Sequence, residues 1–232
     1  MSAQVAASAL SWWREAGVDT IVAEEPRDWL AAPPSVSEAP AAPKAVERLP
    51  DTLESFQDWL ATSETLPFAA PSAPRVGPSG DPGSGLMVLV DMPSAQDAAA
   101  GKLLSGEDGA LFDRMMAAIG RGRETLYLAA LSPVRSATGQ LDAASLATLA
   151  PIARHHAGLV RPKALLLFGD ACAKALLGAA VAGTRGRWHE IDTPTGPVRT
   201  LATLKPEKLI RQPNLKKHAW EDLQRLKEGI AP

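Results

Sequence analysis

The 232-residue chain holds one cysteine, Cys172. A single thiol excludes an internal disulfide and any all-cysteine metal or iron–sulfur site built by one chain. It lies in the apolar run Ala171-Cys-Ala-Lys-Ala-Leu-Leu177, where a small buried hydrophobe is expected rather than a nucleophile. No run approaches the ~20 apolar residues that span a bilayer. The N-terminus lacks the basic start and long apolar core of a signal peptide, so a cytoplasmic protein without membrane association is expected. Net charge is also small: 24 Lys+Arg against 26 Asp+Glu give −2, with no general pull toward nucleic acid or membrane. His155 and His156 are neighbours in a predicted helix. Adjacent helix positions do not face each other, so no metal site is expected.

What is present is unevenly distributed. Residues 1–80 carry 5 Lys+Arg and 11 Asp+Glu, and residues 81–232 carry 19 and 15, so a polyanion would meet the C-terminal part. Residues 31–50 and 67–85 are rich in Pro, Ala, Gly and Ser and read as linkers. The division expected is 1–80 as a helical, Pro/Ala-rich extension and 81–232 as one α/β domain. A short helix is predicted over 5–17, and another over 51–61 with Asp51 as its cap and Leu53, Phe56 and Leu60 at helical spacing.

From residue 86 apolar strands alternate with amphipathic helices. Strands are predicted at 86–90, 125–131, 163–168 and near 198–202, and helices at 106–120, 142–159, 170–178 and 214–228. Near-continuous apolar strands separated by helices imply a mainly parallel four-stranded sheet covered on both faces, a three-layer α/β sandwich. The first strand, Leu86-Met-Val-Leu-Val-Asp-Met-Pro-Ser-Ala-Gln-Asp97, breaks at Asp91 and Pro93. Polar groups there stand at the carboxyl edge of the sheet, where open α/β folds bind ligands. Asp91 is the candidate catalytic carboxylate; its alternative is a strand-end carboxylate capping nearby amides. Asp97 reads as a helix-start or loop residue. Lys205, Lys208, Arg211, Lys216, Lys217 and His218 form the strongest basic segment, opposed by Glu207 alone. It is either a nucleic-acid contact or a solvated face.

The chain resembles the uracil-DNA glycosylase superfamily, most closely its iron–sulfur family 4. Val90-Asp-Met-Pro-Ser94 stands where that family has Gly-Glu-Ala-Pro-Gly, followed by Gly101-Lys-Leu-Leu-Ser-Gly106 and Asp108-Gly-Ala-Leu-Phe-Asp-Arg-Met-Met-Ala-Ala-Ile-Gly120. Leu159-Val-Arg-Pro-Lys163, Gly169-Asp-Ala-Cys-Ala-Lys-Ala-Leu-Leu-Gly178, Arg185-Gly-Arg-Trp-His-Glu190, Leu209-Ile-Arg-Gln-Pro-Asn214 and Trp220-Glu-Asp-Leu223 continue the likeness over roughly 86–228.

The resemblance implies a uracil-DNA glycosylase-like sandwich, a relation to DNA base-excision repair, and DNA as partner through the basic 205–217 loop. A monomer is expected. It also implies where the chain departs from the family. The cluster cysteines fall at or near Trp59, at a linker position, at Val134 and at Leu149, none of them Cys, so no cluster and no other cofactor is expected. Asp91 replaces the glutamate. Ala130 stands where an asparagine reads the uracil edge, Leu104 where an aromatic stacks on the base, and Lys205 where a histidine supports the leaving group. Met92 and Pro93 complete the implied base pocket. Either a glycosylase with altered base specificity or a non-catalytic DNA- or protein-binding relative satisfies this pattern.

Overall fold

The computed structural model describes residues 48–230, together with Trp12. The helix expected over 5–17 lies outside the described residues apart from Trp12. The described chain from Arg48 onward belongs to one compact unit. It includes the helix α1 (Leu53–Thr62), whose Phe56 and Leu60 are buried on the same core as the sheet. Thr52, rather than Asp51, caps α1, its side chain accepting from Ser55 N.

The elements follow in the order β1 (Ser79–Gly80), β2 (Leu86–Val90), α2 (Ala95–Ala100), α3 (Gly106–Ala118), β3 (Tyr127–Ala130), α4 (Ala143–Val160), β4 (Ala164–Phe168), α5 (Asp170–Leu177), α6 (Val181–Thr184), β5 (His189–Thr193), β6 (Gly196–Thr203), α7 (Pro206–Arg211) and α8 (Lys216–Gly229). The sheet runs β1-β3-β2-β4-β6-β5. Its four central strands are parallel, in the registers Val88↔Leu128, Val88↔Leu166 and Leu166↔Leu201.

The expected four-stranded sheet is thus the centre of a six-stranded mixed one. The two additions are antiparallel edges, β1 on β3 and β5 on β6. They carry little hydrophobic signal. Both residues of β1 are exposed, and only Ile191 of β5 is fully buried. By contrast β2 and β4 are buried at every position, as strands covered on both faces must be.

Right-handed crossovers between parallel strands put α3 on one face and α4 and α5 on the other. The contacts agree: α3 packs with α7, α8 with β4 and β6, α4 with α5, and α1 with α4. Phe112 of α3 meets Phe168 of β4 edge-on at 5.8 Å. Tyr127 of β3 joins α1 to α4: its hydroxyl accepts from Gln57 Nε2 at 2.8 Å and bonds His156 Nε2 at 2.9 Å. Trp59 and Leu149 lie in apolar packing here, and Val134 and Leu149 are fully buried.

The connection after β2 turns toward β3, whereas the connection after β4 turns toward β6. Neighbouring strands β2 and β4 therefore send their chains to opposite faces. That arrangement opens a crevice at their carboxyl ends, the usual ligand position of open α/β sheets.

Candidate functional site

A cleft of about 910 Å³ opens at this switch point. Asp91, the first residue after β2, forms part of its floor. Its Oδ1 accepts the Cys172 N–H of α5 at 2.9 Å. Cys172 is the third helical residue of α5, whose flanking residue Gly169 has no side chain to cap it. Asp91 therefore supplies the N-terminal cap that the helix lacks locally. The Cys172 thiol is a second hydrogen-bonding neighbour of the same carboxyl.

Burial raises the Asp91 carboxyl above its ordinary value of 3.8, against the pull of the Cys172 N–H and the positive charge of Lys205; Asp170 adds a smaller upward push. Gly169 makes the approach possible. At φ +108 a side chain there would be strained, and a Cβ would sit 2.5 Å from Asp91 Oδ2. Cys172 is fully buried, and burial together with the neighbouring Asp91 lifts its thiol well above its ordinary value. It is a packing residue.

Asp97 is consumed by the backbone. It forms a capping box with Ser94 at the start of α2, and its Oδ1 accepts Ser105 N at 2.6 Å. The carboxylate thus ties both ends of the loop that carries Leu104. Leu104 sits half-buried on the cleft wall at φ +52, a conformation that costs a non-glycine residue roughly 1–2 kcal/mol. Arg123 holds it there, donating from Nη2 to the Leu104 carbonyl at 2.6 Å and from Nη1 to that of Leu103 at 2.9 Å, while Asp113 fixes the guanidinium at 2.6 Å.

The opposite wall comes from the β6–α7 loop. Lys205 flanks the start of α7, with Pro206 as its first residue. Lys205, Lys208 and Arg211 all line the cleft. They are not six free cations facing one acid. Glu207 pairs with Lys205 Nζ at 2.9 Å and with Arg211 Nη2 at 2.8 Å, and these neighbours hold its carboxyl below the usual range. His218 Nδ1 lies 3.5 Å from Glu221, which also meets Arg185.

Of the expected site residues, the fold brings Asp91, Met92, Leu104, Lys205, Lys208 and Arg211 to one cleft. Pro93, Ala130 and Lys216 do not line it. Pro93 is buried behind the wall, its carbonyl accepting from Arg135 Nη1 at 3.2 Å. Ala130 packs against the core at the end of β3, and Lys216 is exposed at the start of α8.

Four cleft residues carry charge that the sequence reading passed over: Arg135 in the β3–α4 loop, Asp108 at the start of α3, and Asp170 and Lys174 on α5. Burial, then Glu207 and Asp97, raise the Asp108 carboxyl. Only Arg135 had a signal in the sequence, a cation five residues beyond a strand end at the ligand-binding edge. Among the described residues no three His, Cys, Asp or Glu side chains stand together to hold a metal ion, and no helix is long and apolar enough to cross a membrane. His156 is buried, and burial, with His155 beside it, pushes its ring down from 6.5 to about 3.

Residues 78–224 match the family model described as Uracil DNA glycosylase superfamily. The match runs from β1 to the middle of α8 and takes in the whole parallel sheet, the switch-point cleft and both of its walls. With well over half of the sequence matched, the chain belongs to the uracil DNA glycosylase superfamily.

Proposed function

We propose that this protein is a divergent, cluster-free relative of the family 4 glycosylases that serves DNA base-excision repair by binding DNA at the switch-point cleft, and that uracil excision is not an efficient reaction of it. The observation that carries this reading is the pairing, in one cleft, of the Asp91 carboxylate with the cationic wall of Lys205, Lys208 and Arg211. Phosphate contacts from such a wall fix a nucleic acid without reading its sequence.

Cleaving an N-glycosidic bond asks for more. A base must leave the stack and be held by its edge. A carboxylate must orient water or stabilise the sugar cation, and a donor must support the departing base. Asp91 brings a carboxyl to the cleft for the first duty. Lys205 offers a point charge for the second, but Glu207 already engages it at 2.9 Å. Ala130 has no hydrogen bond to give a base edge, and Leu104 offers apolar contact without a π-face. Each missing polar group commonly costs roughly 10²–10³ in rate, so their joint loss removes most of the acceleration.

A second reading, a non-catalytic relative, is favoured by one specific contact. The Asp91–Cys172 bond gives Asp91 a structural duty that needs no chemistry.

The test is base release from uracil-containing single- and double-stranded DNA. Little or no release is expected from wild type at stoichiometric enzyme. Efficient release that disappears in Asp91→Ala would contradict the proposal and make the protein an active glycosylase. A visible iron–sulfur absorption in the purified protein would overturn its cluster-free part.

A further inference from the structure

We infer that the α7 end of the cleft is a phosphate-binding site whose place the chain's own Glu207 occupies when no ligand is bound. The inference rests on the DNA-binding proposal and deepens it. Glu207 uses each carboxylate oxygen on a different cation: Oε2 lies 2.9 Å from Lys205 Nζ and Oε1 lies 2.8 Å from Arg211 Nη2. Arg135 belongs to a different loop, lines the same cleft, and its positive charge also acts on Glu207. Its guanidinium is steadied by the Pro93 carbonyl at 3.2 Å. Two cations of the Lys205–Arg211 segment therefore engage a single carboxylate, and a third, from the β3–α4 loop, lines the same cleft.

A phosphodiester matches that arrangement. It is a monoanion with two terminal oxygens, and it takes charge-assisted hydrogen bonds from Lys and Arg as a carboxylate does. The site is open to an entering ligand: the Lys205, Glu207 and Arg211 side chains are 42%, 37% and 75% exposed. Exposed pairs of this kind are individually weak and exchange readily. Lys208 lines the same wall and has no ion pair among the described residues, so it is free to make a first contact. To reach Lys205 and Arg211 a phosphate must then displace Glu207. The carboxylate acts as a built-in competitor that lowers affinity for every phosphate alike, whatever base it carries.

Wild type and Glu207→Gln are titrated with a fluorescein-labelled single-stranded oligonucleotide by anisotropy, and with inorganic phosphate as competitor. Glu228→Gln is the control: Glu228 is exposed on α8 outside the cleft, so the same charge is removed without vacating the site. Glu207→Gln is expected to bind the oligonucleotide about three- to tenfold more tightly than Glu228→Gln, and Glu207→Ala to repeat the gain. Adding Arg135→Gln to Glu207→Gln is expected to take the gain back.

Stronger competition by inorganic phosphate against Glu207→Gln than against wild type supports a site open to free phosphate. The affinity gain without that competition assigns the site to the nucleic-acid backbone. If wild type binds DNA but Glu207→Gln matches Glu228→Gln, the competitor role is overturned and DNA binding stands. If neither wild type nor Glu207→Gln binds either probe at low salt, the DNA-binding proposal falls as well.

Discussion

Replacing Asp91 with alanine removes the only side-chain acceptor that the Cys172 N–H has among the described residues, the 2.9 Å bond that caps α5 across the switch point. Loss of a helix cap costs about 1–2 kcal/mol, and the stranded amide lies beside a fully buried residue, which favours the upper part of that range. Asparagine separates the two contributions of Asp91. It keeps a carbonyl acceptor for Cys172 and discards the charge. Because burial raises the folded carboxyl above 3.8, the folded state holds its proton to higher pH than the unfolded chain does. The carboxylate's contribution to stability is therefore greatest below pH 3.8 and declines as pH rises through the raised folded value. Asp91→Asn removes that decline. Urea denaturation at neutral pH is expected to rank Asp91→Asn at or above wild type, with Asp91→Ala about 1–2 kcal/mol below it. Asp91→Ala within ~0.3 kcal/mol of wild type, or Asp91→Asn as unstable as Asp91→Ala, would refute the capping role.

Phe56→Ala empties a fully buried position that stacks on Trp59 at 5.7 Å and meets His156 at 4.9 Å; a loss of about 3–5 kcal/mol is expected in the same assay, and a loss below ~1 kcal/mol would detach α1 from the core. Gly169→Ala places a Cβ against Asp91 Oδ2 at a backbone angle that disfavours any side chain; a destabilisation of about 1–3 kcal/mol is expected, and a neutral result would show that the β4–α5 turn relaxes. His156 gives an acid-side signature: its folded ring resists a proton that the unfolded chain accepts, so stability present above pH 6.5 is lost as pH falls toward about 3. His156→Gln is expected to flatten the urea midpoint between pH 7 and pH 4.5 relative to wild type, and a parallel decline in both proteins would exclude His156 as the cause.

The parallel centre of the fold was legible because β2 and β4 are buried at every position and so read as unbroken apolar runs. Asp142 capping α4 and Gly178 ending α5 in a left-handed conformation follow ordinary helix punctuation. The edge strands were hidden for the opposite reason: β5 buries Ile191 but leaves Glu190 and Asp192 in solvent, a pattern that mimics a loop. Helix α2 lay in an Ala- and Gly-rich stretch, although Ser94 and Asp97 already spell its capping box.

At the site, Asp91 was visible as a carboxylate ending a buried strand. Its helix-capping bond was not, because Cys172 is 81 residues away in sequence. The pairing of Glu207 with Lys205 and Arg211 turned a basic run into a part-neutralised wall. Arg135 escaped notice because its approach to Glu207 depends on how two loops from different strands meet.

The salt dependence of oligonucleotide binding tests the central claim most directly. Anisotropy titrations of a labelled single strand at several salt concentrations give the slope of log K against log salt, roughly 0.7 for each phosphate neutralised. Wild type is expected to bind at low salt with a clear negative slope, and Lys205→Ala with Lys208→Ala to bind more weakly with a slope shallower by about 1.4, two contacts at about 0.7 each. No binding at low salt, or a double variant with unchanged affinity and slope, would contradict DNA recognition through this cleft.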